Sequence, residues 1–157
     1  MSLSYLDNIQ DAIVTAIGNM TGSPTTQEED FSKVTTWPLY NVYLAEDEVS
    51  NDDVSRANMR NFENIVRFEI KGFNKLTSVS TDSVFEIDTV LNRMLNNIKK
   101  MIGENPQLTN LVGEFSYVSS RRVDSGGRVD ILLPKYLSVI VEVGYSQDRE
   151  TPTNPAY

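Results

Sequence analysis

The chain has 157 residues, 39% of them hydrophobic and 23% charged, with a formal net charge of −8. That is the balance of an ordinary single globular domain, and no apolar run nears the roughly 20 residues that span a bilayer. There is no Cys and no His, which excludes disulfides, thiolate catalysis and Cys-based zinc or iron–sulfur sites. The missing His also removes the side chain that most often serves as general acid or base near neutral pH, and the commonest ligand for zinc, copper and non-haem iron. Carboxylate chemistry alone remains open to an enzyme, so the expectation is a protein that is not one.

The first residues, Met1-Ser2-Leu3-Ser4-Tyr5, lack the basic and apolar regions of a signal peptide, and Asp7 and Asp11 follow early; the expectation is cytosolic synthesis. Apolar residues at Leu6, Ile9, Ile13, Ile17 and Met20 recur at spacings of three and four, which predicts an amphipathic helix over 4–20. Asp7 lies in its first turn, where a negative charge suits the helix dipole. Gly22 and Pro24 end it, and 21–33 reads as a polar, mobile connection. The segment 35–45, rich in aromatic and branched residues, predicts a strand with Pro38 at its start or on a sheet edge.

An acidic loop is expected over 46–61, long enough to be either functional or flexible. Over 62–75, Val66, Phe68 and Ile70 alternate with Arg67, Glu69 and Lys71, the pattern of a strand that is apolar on one face and charged on the other. Ser83-Val84-Phe85-Glu86 matches a capping box. The helix it opens carries Val84, Ile87, Leu91, Leu95, Ile98 and Ile102 on one stripe, with Lys99, Lys100 and Gly103 at its end. Met94, Leu95 and Met101 are expected in the core.

Residues 108–112 suggest a short helical turn, and 114–124 a third strand. Asp124-Ser125-Gly126-Gly127 marks a turn. The apolar run 129–133 is short and is limited by Pro134. Residues 136–145 form the last strand, with Leu137, Val139, Val141 and Val143 on one face. Residues 1–148 are therefore expected to make one domain, and 149–157, with two prolines, a flexible tail. The architecture expected is α+β: a four-stranded antiparallel or mixed sheet with the N-terminal helix and the long central helix packed on one face.

The charge is concentrated. Residues 28–53 hold eight acids (Glu28, Glu29, Asp30, Glu46, Asp47, Glu48, Asp52, Asp53) and one base, Lys33, a net of −7 out of −8. Such a face can repel or guide other anions. Glu46, Asp47, Glu48, Asp52 and Asp53 lack the glycine and terminal glutamate of a calcium loop, so no metal is expected there. Arg121, Arg122 and Arg128 are a candidate clasp for phosphate or an acidic partner, or simply the outer face of a strand. No basic stripe points to direct nucleic-acid binding. Trp37, Tyr40 and Tyr43 are read as mixed core and sheet-edge residues, with a partner-binding aromatic patch as the other possibility.

The succession of an amphipathic helix, the Pro-containing strand Trp37-Pro38-Leu39-Tyr40-Asn41-Val42-Tyr43, an acidic loop, the strand Ile65-Val66-Arg67-Phe68-Glu69-Ile70, a long helix and two closing strands ending Val141-Glu142-Val143-Gly144-Tyr145 resembles the tail terminator (tail completion) proteins of long-tailed bacteriophages. The resemblance spans residues 4–148 and is one of order and length. It implies a non-enzymatic, cofactor-free subunit that forms a homohexameric ring on the finished tail tube. Such a ring stops tube polymerisation and presents a docking surface to the neck or connector proteins, alongside the sheath protein where a tail has one. Genome DNA passes through it without specific binding. The expected location is the head-proximal end of the virion tail, after assembly in the host cytoplasm. A neck or head–tail joining protein shares this layout, and a non-viral adaptor module using the charged sheet face is the alternative from another class.

Overall fold

The computed structural model describes residues 5–21, 25–26, 37–49, 61–75, 81–108, 112–124 and 135–148. The first helix, α1 (Tyr5–Thr21), is followed by a two-residue strand, β1 (Thr25–Thr26), and by β2 (Leu39–Val49) and β3 (Asn61–Phe73). The long helix α2 (Thr81–Glu104) leads to the closing pair β4 (Glu114–Asp124) and β5 (Lys135–Asp148). The sheet order is β1-β2-β3-β5-β4. The four long strands are antiparallel throughout, and β1 adds a short parallel edge beside Tyr40 and Asn41 of β2. The α+β expectation is met.

Alternation along the strands decides which face is covered. Val66, Phe68 and Ile70 of β3 stand in rows with Val143, Val141 and Val139 of β5, and all six are buried. Tyr40 and Val42 continue this face into β2. Onto it pack Ile9, Ile13 and Ile17 of α1 and Ile87, Leu91, Met94, Ile98 and Met101 of α2, in one continuous cluster. Each large apolar side chain removed from water in this way contributes about 1.5–3 kcal/mol. Met94 and Met101 are core residues, and Leu95 is partly buried against the same cluster. Gly72 lies beneath α2: a Cβ there would come within 2.9 Å of the Met94 methyl, so the bare backbone lets the helix sit close.

The structure corrects several sequence-based boundaries. The segment expected to open as an acidic loop at Glu46 is still strand. β2 passes an irregularity at Ala45 and continues with Glu46, Asp47 and Glu48 opposite Arg67, Val66 and Ile65. The physical reason is that β3 extends back to Asn61, offering ladder positions that outweigh the poor strand propensity of acidic residues. The 21–33 connection contains β1, whose two threonines are too few to show a period. Helix α2 begins at Thr81, so Ser83 lies inside it and the Ser83–Glu86 box is not its start. It also runs on through Gly103, and Asn105 then closes the end by donating its side-chain amide to the Met101 carbonyl at 2.9 Å.

Beyond α2, Leu108 takes a left-handed φ of 44° with its side chain buried, and the Val112 amide donates to the Gln107 carbonyl. The central part of the expected 108–112 turn, the 129–133 run and the 149–157 tail lie outside the described residues. So do most of the 21–33 connection, the 50–60 part of the acidic loop, and Asp52, Asp53 and Arg128 among the candidate residues.

Candidate assembly surfaces

Among the described residues, the sheet presents its two edges and the face opposite the helices as candidate surfaces. On that outer face the charges largely satisfy one another. Arg67 pairs with Glu142 across the β3–β5 ladder at 3.2 Å. The Ser138 hydroxyl, itself buried, donates to Glu69 at 2.6 Å, and Lys71 reaches the same carboxylate at 4.0 Å. The Lys71 ammonium also lies 5.1 Å from the Tyr43 ring and 5.6 Å from that of Tyr136. At one corner Leu39 and Phe73 are buried with Trp37 and Tyr136 packed against them. Of the aromatic trio, then, Tyr40 is core, Trp37 supports the outer corner and Tyr43 lies beneath a lysine.

The two edges differ in charge. Among the described residues, β4 is hydrogen-bonded on one side only, to β5. It carries the exposed apolar side chains Tyr117 and Val118, with an irregularity at Val118 itself. Arg121 and Arg122 follow on the same strand, and strand alternation separates them. Arg121 stands in the row of Ser138, on the outer face, and is exposed; Arg122 stands in the row of Leu137 and turns to α2, where it donates to the Asn92 side-chain carbonyl. The helix side of this edge is further tied by Lys99, 4.8 Å from the Tyr117 ring, and by the Lys135–Asp88 pair at 3.3 Å. Arg121 and Arg122 therefore stand on opposite faces of β4, and Arg128, the third residue of the candidate clasp, lies outside the described residues.

The opposite edge belongs to β2. There β1 occupies only Tyr40 and Asn41, and the Gln10 side-chain amide of α1 donates to the Val42 carbonyl at 2.7 Å. On the side away from β3 no described strand lies alongside Tyr43 to Val49, and this half of the edge contains Glu46, Asp47 and Glu48. Leu44, nearly half exposed at 48%, lies on it. Sequence reasoning missed Leu44, Tyr117 and Val118, because only the strand order shows that β2 and β4 are the outermost long strands.

Two interior or recessed features complete the picture. The Tyr40 hydroxyl is fully buried and has no hydrogen-bond partner among the described residues. Burial raises its pKa above the ordinary 10.0, while the Asn97 side chain, close by but outside good hydrogen-bond geometry, works the other way. On the outer face a shallow depression of about 300 Å3 is lined by Glu69, Ser119, Ser120, Arg121, Ser138 and Ile140. It brings one carboxylate, one guanidinium and three serine hydroxyls together, and the Ser138 hydroxyl is the one bonded to Glu69. Among the described residues no group of three or more acids is gathered as a metal site, and no helix is long and apolar enough to cross a membrane. Compared with known proteins, the chain matches no protein-family model and no curated sequence.

Proposed function

We propose that this chain is a tail terminator of a long-tailed bacteriophage: a structural subunit that closes into a ring on the head-proximal end of the tail tube. The ring ends tube polymerisation and offers its far side to the neck proteins. The observation that carries this reading is the folded order of elements, α1-β2-β3-α2-β4-β5, in which both helices cover one sheet face while, among the described residues, no further element covers the other face, the β4 edge or the second half of the β2 edge. A subunit with one covered face and two unlike edges is suited to head-to-tail assembly, the arrangement that makes rings.

The acidic run gives the ring a second property. The acidic segment that holds Glu46, Asp47, Glu48, Asp52 and Asp53, or part of it, contributes to the lumen or to a surface that meets a basic one. A lumen lined by carboxylates lets DNA slide through, because like charge denies the phosphates a binding site. Replacing the five acids by their amides is expected to leave the circular dichroism of the monomer unchanged and to lower particle infectivity. Fully infectious particles carrying all five replacements would contradict a role for this charge.

Negative-stain images of the protein mixed with free tail tubes test the reading itself. Extra density confined to one tube end is the expected result. Bare ends at every protein concentration and salt would reject the terminator and leave a neck or adaptor component.

A further inference from the structure

The four long strands alternate in direction, so the two outer ones, β2 and β4, run opposite ways. A neighbouring copy in the same orientation therefore presents its β2 antiparallel to β4. Antiparallel pairing of this kind satisfies the open backbone groups of both edges at once. We infer that the docking partner of the β4 edge is the acidic half of β2 in a second copy of this chain, with Asp47 and Glu48 of one copy opposite Arg122 and Arg121 of the next. The inference deepens the ring reading above and rests on it only for closure into a ring.

The register follows from two obstructions and the faces of the sheet. In level alignment, following the ladders across one copy takes Glu48 through Ile65 and Gly144 to Glu114. An unstaggered neighbour would thus set two carboxylates against each other, and β1 would block the lower half of the joint. To clear β1 at Tyr40–Asn41 and the Gln10 bond at Val42, the end of β4 must meet β2 no earlier than Tyr43. Matching helix-side rows then makes Leu44 opposite Asp124 the first allowed pair, since Leu44 stands in the row of Phe68 and Asp124 follows the helix-side Arg122 by two.

From there the Ala45 irregularity places Glu46 opposite Val123, Asp47 opposite Arg122, Glu48 opposite Arg121 and Val49 opposite Ser120. The rows agree independently: Asp47 is level with buried Val66 and Arg122 with buried Leu137, while Glu48 is level with Ile65 and Arg121 with outer-face Ser138. The stagger demanded by sterics is therefore also the one that sets acids against bases. It amounts to six residues, roughly 20 Å along the strands, and a constant stagger is what tilts strands when a sheet closes on itself. The Val118 irregularity falls beyond the joint. Arg121 makes no ion pair or hydrogen bond with the described residues of its own copy. Arg122, held by Asn92, retains further guanidinium donors.

The absence of native cysteine makes the test clean. The double variant Glu48→Cys/Arg121→Cys in the full chain, mildly oxidised at high protein concentration, is expected to give a ladder of covalent oligomers whose last band counts the copies in the ring. Glu48→Cys/Glu114→Cys, the level register, is the comparison and is expected to stay largely monomeric. Charge reversal supplies the second arm: Glu48→Lys and Arg121→Glu each abolish self-association by light scattering, and mixing the two restores it. Both cysteine pairs unlinked, linkage favouring Glu114, or no rescue on mixing would overturn the proposal, leaving the β4 edge to a different protein. Tube capping without the ladder would reject this edge while keeping the terminator. A ladder without capping would do the reverse.

Discussion

Tyr40 shows how a single side chain reports on the packing between sheet and helix. Its ring belongs to the core shared by the sheet and both helices, but its hydroxyl is shut from water with no hydrogen-bond partner among the described residues. A buried hydroxyl without a hydrogen bond costs about 1–3 kcal/mol. Tyr40→Phe is accordingly expected to hold or raise stability in urea melts; a loss above about 1 kcal/mol would mean that the hydroxyl is bonded after all. The pH dependence has a definite sign. Because burial raises the folded-state pKa above 10.0, the unfolded chain releases this proton first as pH rises. Stability from this group is therefore full below pH 10.0 and declines above it, and Tyr40→Phe should lack that share of the alkaline decline. At the surface the expected effects are small. Arg67→Ala removes a pair with Glu142 in which both partners are solvent-exposed in part, and is expected to change the urea midpoint by less than about 1 kcal/mol of stability.

At the level of elements, α2 carries the largest share of the helix-side packing. Leu91→Ala and Ile98→Ala each empty a fully buried site and are expected to cost about 2–5 kcal/mol in denaturant titrations; losses under about 1 kcal/mol would place α2 off the sheet. This helix and β3 were legible in the sequence because their apolar residues keep a strict period over many positions: Ile87, Leu91 and Ile98 on one stripe, Val66, Phe68 and Ile70 on one face. The acidic end of β2 was not legible, since nothing in Glu46-Asp47-Glu48 marks a strand until β3 is known to extend beside it. The Ser83 box misplaced the start of α2 because the same spacing occurs by chance within a first turn. Arg121 and Arg122 looked like a pair in sequence, but a period of two necessarily parts neighbours on a strand. What remained invisible was strand order. Whether an exposed Val118 or Leu44 matters depends on β4 and β2 being edges, and no local pattern encodes that.

Among the described residues the molecule is a sheet with one face closed by helices and two outer strands that run in opposite directions and differ in charge, β2 carrying three acids and no base and β4 two of each. On the proposed reading, that asymmetry makes the chain a unit that can repeat. Its missing Cys and His fit the proposed assembly role, and that role depends on what the proposed ring does at the end of a tube. The most direct measurement is the growth of tail tubes from purified tube protein, followed by length distribution in electron micrographs with and without this chain. The account predicts that substoichiometric addition, counted against tube subunits but matching tube ends, arrests elongation at the lengths present on mixing. Tubes that continue to lengthen at the same rate in its presence would contradict it.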